Sequence, residues 1–126
     1  NLSSGSAKHW EGPPFDVGPQ GPRTAAYGAS KAALNRITNG LAAEVHGTGV
    51  RVNTVEPRAA VLSEGAAALV GATLRPDQIE SMEEMVEGTL VLCDCGPDVT
   101  GRITVSLDNI AEWGVTVRGL DGEPLG

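Results

Sequence analysis

The chain has 126 residues, 40% hydrophobic and 20% charged, with a net charge of −7; that suits one globular domain and is too apolar for a disordered tail. The acidic balance argues against nucleic acid and against an anionic membrane surface, since both require a basic face. No apolar run of about 18 residues is present to form a transmembrane helix.

No charged segment followed by an apolar one opens the sequence, so a secretory leader is not recognisable and a cytoplasmic protein is the default expectation. Cys93 and Cys95 are too few and too close together for a disulfide framework.

Taken in chain order, "NLSSGSA" reads as a strand end running into a loop. Residues 8–23, "KHWEGPPFDVGPQGPR", are punctuated by proline and glycine throughout. They form neither a helix nor a central strand, so a long surface loop is expected, with Trp10 and Phe15 as apolar anchors or as a face for a small molecule. From Thr24, a plausible N-cap, to His46 the pattern turns helical. Leu34, Ile37, Leu41 and Val45 recur at spacings of three and four and predict a core-facing stripe, with Gly47 as the stop signal. The first half of this helix is smooth, with Ala25, Gly28, Ala29, Ala32 and Ala33 allowing close approach of another backbone or a flat ligand.

"VRVNTVEP", residues 50–57, is β-branched and ends at proline, as a buried parallel strand would. Residues 58–74 read as a loop with one short helix. Pro76 is expected to open a stronger helix reaching Cys93, with Ile79, Met82, Val86, Leu90 and Cys93 on one face. "GRITVSL", residues 101–107, is another strand, and in the tail, 108–126, turn residues dominate apart from a short strand at 115–118. The alternation of strand and helix predicts an α/β layer with parallel strands and right-handed crossovers.

Chemistry concentrates in "YGASKAAL". Tyr27 is the chain's single tyrosine, and on a helix it shares a face with Lys31, four residues on. A free phenol ionises only near pH 10, so it is a poor base at neutral pH; an ammonium nearby favours the phenolate and suits such a tyrosine to exchange a proton with a substrate oxygen. An isolated Y-x-x-x-K arises often by chance, and alone it reads as a packing residue beside a surface charge.

Here the pair is embedded in a longer order of motifs, "NLSSGSA … YGASKAAL … VRVNTVEP … VTGRITVSLD". That order resembles the short-chain dehydrogenase/reductase family over nearly the whole chain. The resemblance implies an α/β fold with a partial Rossmann-type, doubly wound parallel sheet, residues 1–126 being the C-terminal part of a single such domain. It implies an oxidoreductase that uses NAD or NADP and acts on a small-molecule carbonyl or alcohol. Tyr27 would be the acid/base, Lys31 would hold the nicotinamide ribose and ease ionisation of the phenol, and Ser4 would orient the substrate oxygen. Pro57 and a main-chain contact near Val61 would line the nicotinamide. Family members commonly pair through the helix that carries the tyrosine, so a homo-oligomer is expected.

The sequence departs from the family pattern in three places. Arg58 stands where a glycine usually follows the proline, and its side chain either crowds the nicotinamide or points to solvent. The stretch between Ser4 and Tyr27 is longer than usual. No Gly-rich strand–turn–helix for the cofactor phosphates occurs in the sequence, so this portion alone is expected to be inactive and to leave a sheet edge and an apolar helix face uncovered. A non-catalytic binding or scaffold protein derived from the same fold is the rival reading. Ser3 and Ser6 read as loop-capping residues, Cys93 and Cys95 as small residues at a helix end rather than metal ligands, and His9 with Trp10 as loop residues.

Overall fold

The computed structural model describes residues 1–15 and 23–125; the middle of the long Pro/Gly-rich loop, at 16–22, lies outside that description. Among the described residues, three parallel stretches of chain lie side by side. The central one is β1, Thr54–Glu56. On one flank it pairs in parallel with β4, Ile103–Val105, Val55 standing opposite Thr104. On the other flank the first residues of the chain join it: the Ser3 N–H donates to the Val55 carbonyl at 2.8 Å, and the Val55 N–H donates to the Asn1 carbonyl at 3.0 Å. A second, smaller parallel pair is formed by β2, Ala60–Val61, and β3, Ile79–Glu80. The mixed α/β architecture with parallel strands is therefore the one anticipated from the sequence.

The "VRVNTVEP" strand is shorter than its β-branched run suggests, because only 54–56 run in the ladder. The residues before it are tied sideways instead. Asn53 donates from its amide to the Val99 carbonyl at 2.8 Å and accepts from the Arg102 N–H at 3.0 Å. Both polar edges of a buried amide are thereby satisfied, and the 99–102 turn is stapled to the entry of β1.

Among the described residues, four α-helices accompany these strands. The first, α1, spans Ala25–Glu44, close to the expected 24–46; Gly47 and Gly49 then take positive φ in the turn that follows, where a β-carbon would be strained. Its buried residues are Gly28, Thr38 and Ala42, while Ile37 and Leu41 are 54% and 41% exposed. Of the expected stripe, Ile37 and Leu41 thus face outward, while Leu34 and Val45 are half-buried. Small and polar side chains take the inner face instead, where Asn1 donates to the Thr38 hydroxyl at 2.7 Å. Close approach of helix and sheet selects side-chain size, and hydropathy periodicity does not register size.

Short α2, Glu64–Val70, is capped by the Ser63 hydroxyl. The helix expected from Pro76 begins later: Pro76–Gln78 is a single 3₁₀ turn, β3 follows, and α3 spans Met82–Asp94. Ser81 sets that start through a capping box, its hydroxyl accepting from the Glu84 N–H at 3.1 Å and its own N–H donating to Glu84 Oε2 at 2.9 Å. Met85, Glu87 and Gly88 are the buried residues of α3, whereas Ile79, Met82, Val86 and Leu90 from the expected apolar face are exposed.

The tail holds a helix the sequence reading missed, α4, Ser106–Trp113, ended by Gly114 in the left-handed region. At 115–118 there is only a single antiparallel bridge, between Arg118 and Pro124. Helix α4 crosses α3 at Gly88, where a β-carbon would stand 2.6 Å from the Ser106 carbonyl oxygen. Asn109, buried on α4, fixes that crossing by donating to the Gly88 carbonyl at 3.0 Å and to the Thr104 hydroxyl at 2.9 Å.

Candidate active site

Ser4 lies just beyond the paired residues 1–3, at the C-terminal end of that parallel stretch, and caps the 3₁₀ turn Gly5–Ala7 by accepting the Ser6 N–H at 3.2 Å. Helix α1 rests directly on this turn: a β-carbon at position 28 would come within 2.5 Å of the Ser6 carbonyl oxygen. Glycine at 28 is what allows that approach, and it places the neighbouring Tyr27 beside the Ser4 turn. Tyr27 itself is 50% exposed.

One turn along α1, the Lys31 ammonium donates to the Leu2 carbonyl at 2.9 Å and stands 5.7 Å from the centre of the Tyr27 ring. The 3.6-residue period brings the two side chains together, and the Leu2 bond fixes the ammonium against the strand. Lys31 spends one of its three N–H protons there and keeps two.

The opposite wall comes from the end of β1 and the segment after it. Proline at 57 stops the strand, and β2 continues the wall at Ala60–Val61. Ser4, Tyr27, Lys31, Pro57, Arg58 and Val61 all border one open cavity of about 890 Å³. All five residues that the sequence reading singles out for catalysis or cofactor contact therefore meet in one place, although they come from three separate parts of the chain. Ser3 and Ser6 border the cavity too; among the described residues the buried Ser3 hydroxyl has no hydrogen-bond partner.

Arg58 follows neither alternative alone. It borders the cavity, its guanidinium pairs with Asp108 on α4, and its N–H donates to Glu80 Oε2 at 2.9 Å. Both members of the Arg58–Asp108 pair are more than half exposed, so the pair contributes at most about 1 kcal/mol. Glu80 is the residue the sequence reading overlooked, because it was assigned to the interior of a helix. The S-x-x-E signature at Ser81–Glu84 was available to place the N-cap one residue after it and the helix start at Met82.

Just before Pro57, burial pushes the Glu56 carboxyl above its ordinary value, with Lys8 pulling in the other direction. Elsewhere, Cys93 and Cys95 are free thiols, and Arg51 donates to Cys95 Sγ at 3.1 Å and to the Cys93 carbonyl at 3.1 Å. His9 and Trp10 are exposed. A second cavity, of about 660 Å³, lies between residues 1–2, β1 and α3, lined by Val55, Val86 and Leu90.

A family model described as short chain dehydrogenase matches residues 18–70. Among solved structures, a short chain dehydrogenase/reductase family protein is 30% identical with a TM-score of 0.63, over 83% of this chain and 41% of its own. A crystal structure of a short chain dehydrogenase from Mycobacterium thermoresistibile is 24% identical, also with a TM-score of 0.63, over 82% of this chain and 37% of that one; at that identity it speaks to the fold alone. No curated protein gives a significant match. The chain spans about two fifths of the length of these solved relatives.

Proposed function

Because the chain belongs to the short-chain dehydrogenase/reductase family, we propose that it forms the catalytic side of an NAD(P)-dependent oxidoreductase interconverting a carbonyl and a secondary alcohol. The observation that supports this most is the convergence of Ser4, Tyr27, Lys31, Pro57 and Val61 on one cavity.

The donor set fits the nicotinamide–ribose end of such a cofactor. Two free ammonium protons on Lys31 suit a pair of vicinal ribose hydroxyls, and the Pro57–Val61 wall offers an apolar surface for a flat ring. When bound, the cofactor supplies or accepts the hydride. The protein's own part is orientation and the proton. The Ser4 hydroxyl, whose oxygen already accepts the Ser6 N–H, keeps its own proton free to hydrogen-bond a substrate oxygen. Tyr27, half open to the cavity, gives its phenolic proton to that oxygen in reduction and takes it back in oxidation. Lys31, 5.7 Å from the ring centre, sets a positive charge beside the phenol and holds the ribose end of the cofactor in place next to it. Fixing these groups on a helix, a strand end and a proline turn supplies the alignment that proton transfer requires.

The smooth first half of α1, with Ala25, Ala29, Ala32 and Ala33, is the surface we assign to pairing with a second copy of the protein.

The test is NAD(P)H oxidation by the full-length protein with a panel of aldehydes and ketones, comparing wild type with Tyr27→Phe. The variant is expected to lose about 10²-fold or more in kcat. An unchanged rate would remove Tyr27 from the acid/base role, and no turnover of any carbonyl by wild type would favour a non-catalytic binding protein.

A further inference from the structure

Glu80 sits on β3, opposite Val61 in the register with β2, and is 2% exposed. A carboxylate so enclosed is costly unless donors meet both oxygens. Here they do: Oε2 accepts the Arg58 N–H at 2.9 Å and Oε1 accepts the hydroxyl of Ser106, itself fully buried at the first position of α4. One side chain thus ties together the segment after β1, the β2–β3 pair and the start of α4.

The held peptide N–H belongs to the cavity wall. Pro57, Arg58, Ala60 and Val61 line the same space as Tyr27 and Lys31. Proline fixes φ at 57, Glu80 fixes the next N–H, and the β2–β3 pairing fixes 60–61, so the wall keeps little freedom. The two hydrogen bonds of Glu80 run to Arg58 and Ser106, and neither residue lies on α1, which carries the acid/base pair.

We propose that Glu80 is a positioning residue that sets the cofactor-facing wall at 57–61 independently of the proton-transfer machinery. The proposal rests on the reading above, in which that wall faces the nicotinamide. Removing the carboxylate orphans the Arg58 N–H and frees the wall to shift while Tyr27, Lys31 and Ser4 stay in place. The expected signature is a weakened grip on cofactor with little change in the chemical step.

The experiment compares Glu80→Ala, Glu80→Gln and Ser106→Ala in the full-length protein. It measures cofactor KM, kcat and Tm, and follows exchange of the Arg58 amide proton by NMR. Glu80→Ala should raise the cofactor KM about tenfold, the effect of one lost charge-assisted hydrogen bond, leave kcat within about threefold, and speed exchange at Arg58. Glu80→Gln, which retains an acceptor for the Arg58 N–H and can still bond Ser106, should recover most of the KM and the protection. Ser106→Ala should fall between the two, and with Glu80→Gln it carries the test if Glu80→Ala does not fold. A fall in Tm with KM and Arg58 exchange unmoved would reduce Glu80 to a packing role and overturn the proposal. Tyr27→Phe runs beside them: if it keeps full rate, the enzymatic reading fails, while the Arg58 exchange still judges whether Glu80 holds the wall.

Discussion

Replacing Asn53 with alanine tests whether the entry to β1 is held as the hydrogen bonds indicate. The amide bridges two backbone groups from the 99–102 turn, the Val99 carbonyl at 2.8 Å and the Arg102 N–H at 3.0 Å, and the residue is nearly buried. Truncation leaves both groups without that partner. Orphaned buried groups cost about 1–3 kcal/mol each; because these sit near the surface of the turn, the low end applies and the sum is about 2 kcal/mol. For a domain of this size, with a urea m-value of about 2 kcal/mol per molar, the midpoint should fall by about 1 M. The control is Asn39→Ala, which removes a single exposed bond to the Gly101 carbonyl at 3.2 Å and should shift the midpoint by less than about 0.3 M. The assay is urea unfolding followed by circular dichroism at 25 °C. Equal shifts for the two variants would refute the reasoning, since burial and the second bond would then carry no weight. The consequence reaches the site, because β1 leads straight into Pro57 and the cavity wall.

Three further outcomes are expected. Burial raises the Glu56 carboxyl above its ordinary value of 4.5, so folding takes up a proton between that value and the raised one, and the stability this group contributes is complete below about pH 4.5 and lost as pH rises through the raised value. Glu56→Gln should therefore be more stable than wild type at neutral pH, with the gap closing under acid conditions; a gap that is constant across a pH series of urea midpoints would show that titration of Glu56 is not its cause. Gly65→Ala on α2, where nothing lies near the added methyl, should gain about 0.5–1 kcal/mol from reduced chain entropy. Gly88→Ala at the α3–α4 crossing, where the methyl would meet the Ser106 backbone at 2.6 Å, should lose about 1–3 kcal/mol; thermal melts that move the two variants in the same direction would mean the helices do not approach as closely as described.

Much of the site was legible before any coordinates. Helical periodicity alone puts Tyr27 and Lys31 on one face, and a β-branched run stopped by proline announces a buried strand ending at Pro57; that this end lines the site was implied only by the family resemblance. Glu80 was not legible. Its two partners, Arg58 and Ser106, are distant in sequence, and nothing local distinguishes a buried, doubly bonded carboxylate from the half-buried acids at Glu83 and Glu84. The partner of Arg58 was hidden for the same reason, since Asp108 lies on a helix, α4, that was read as turn-rich tail.

The sequence by itself determined the alternation of strands and helices, the pairing of Tyr27 with Lys31 and the position of Pro57, because each depends on periods and dihedral limits that act within a few residues. Only the tertiary structure decided which face of α1 turns inward, where α3 begins, and that Ser4, Tyr27 and Val61 border one space. Those outcomes depend on how closely two backbones can approach and on which distant donor satisfies a buried acceptor, and neither quantity is carried by hydropathy along the chain.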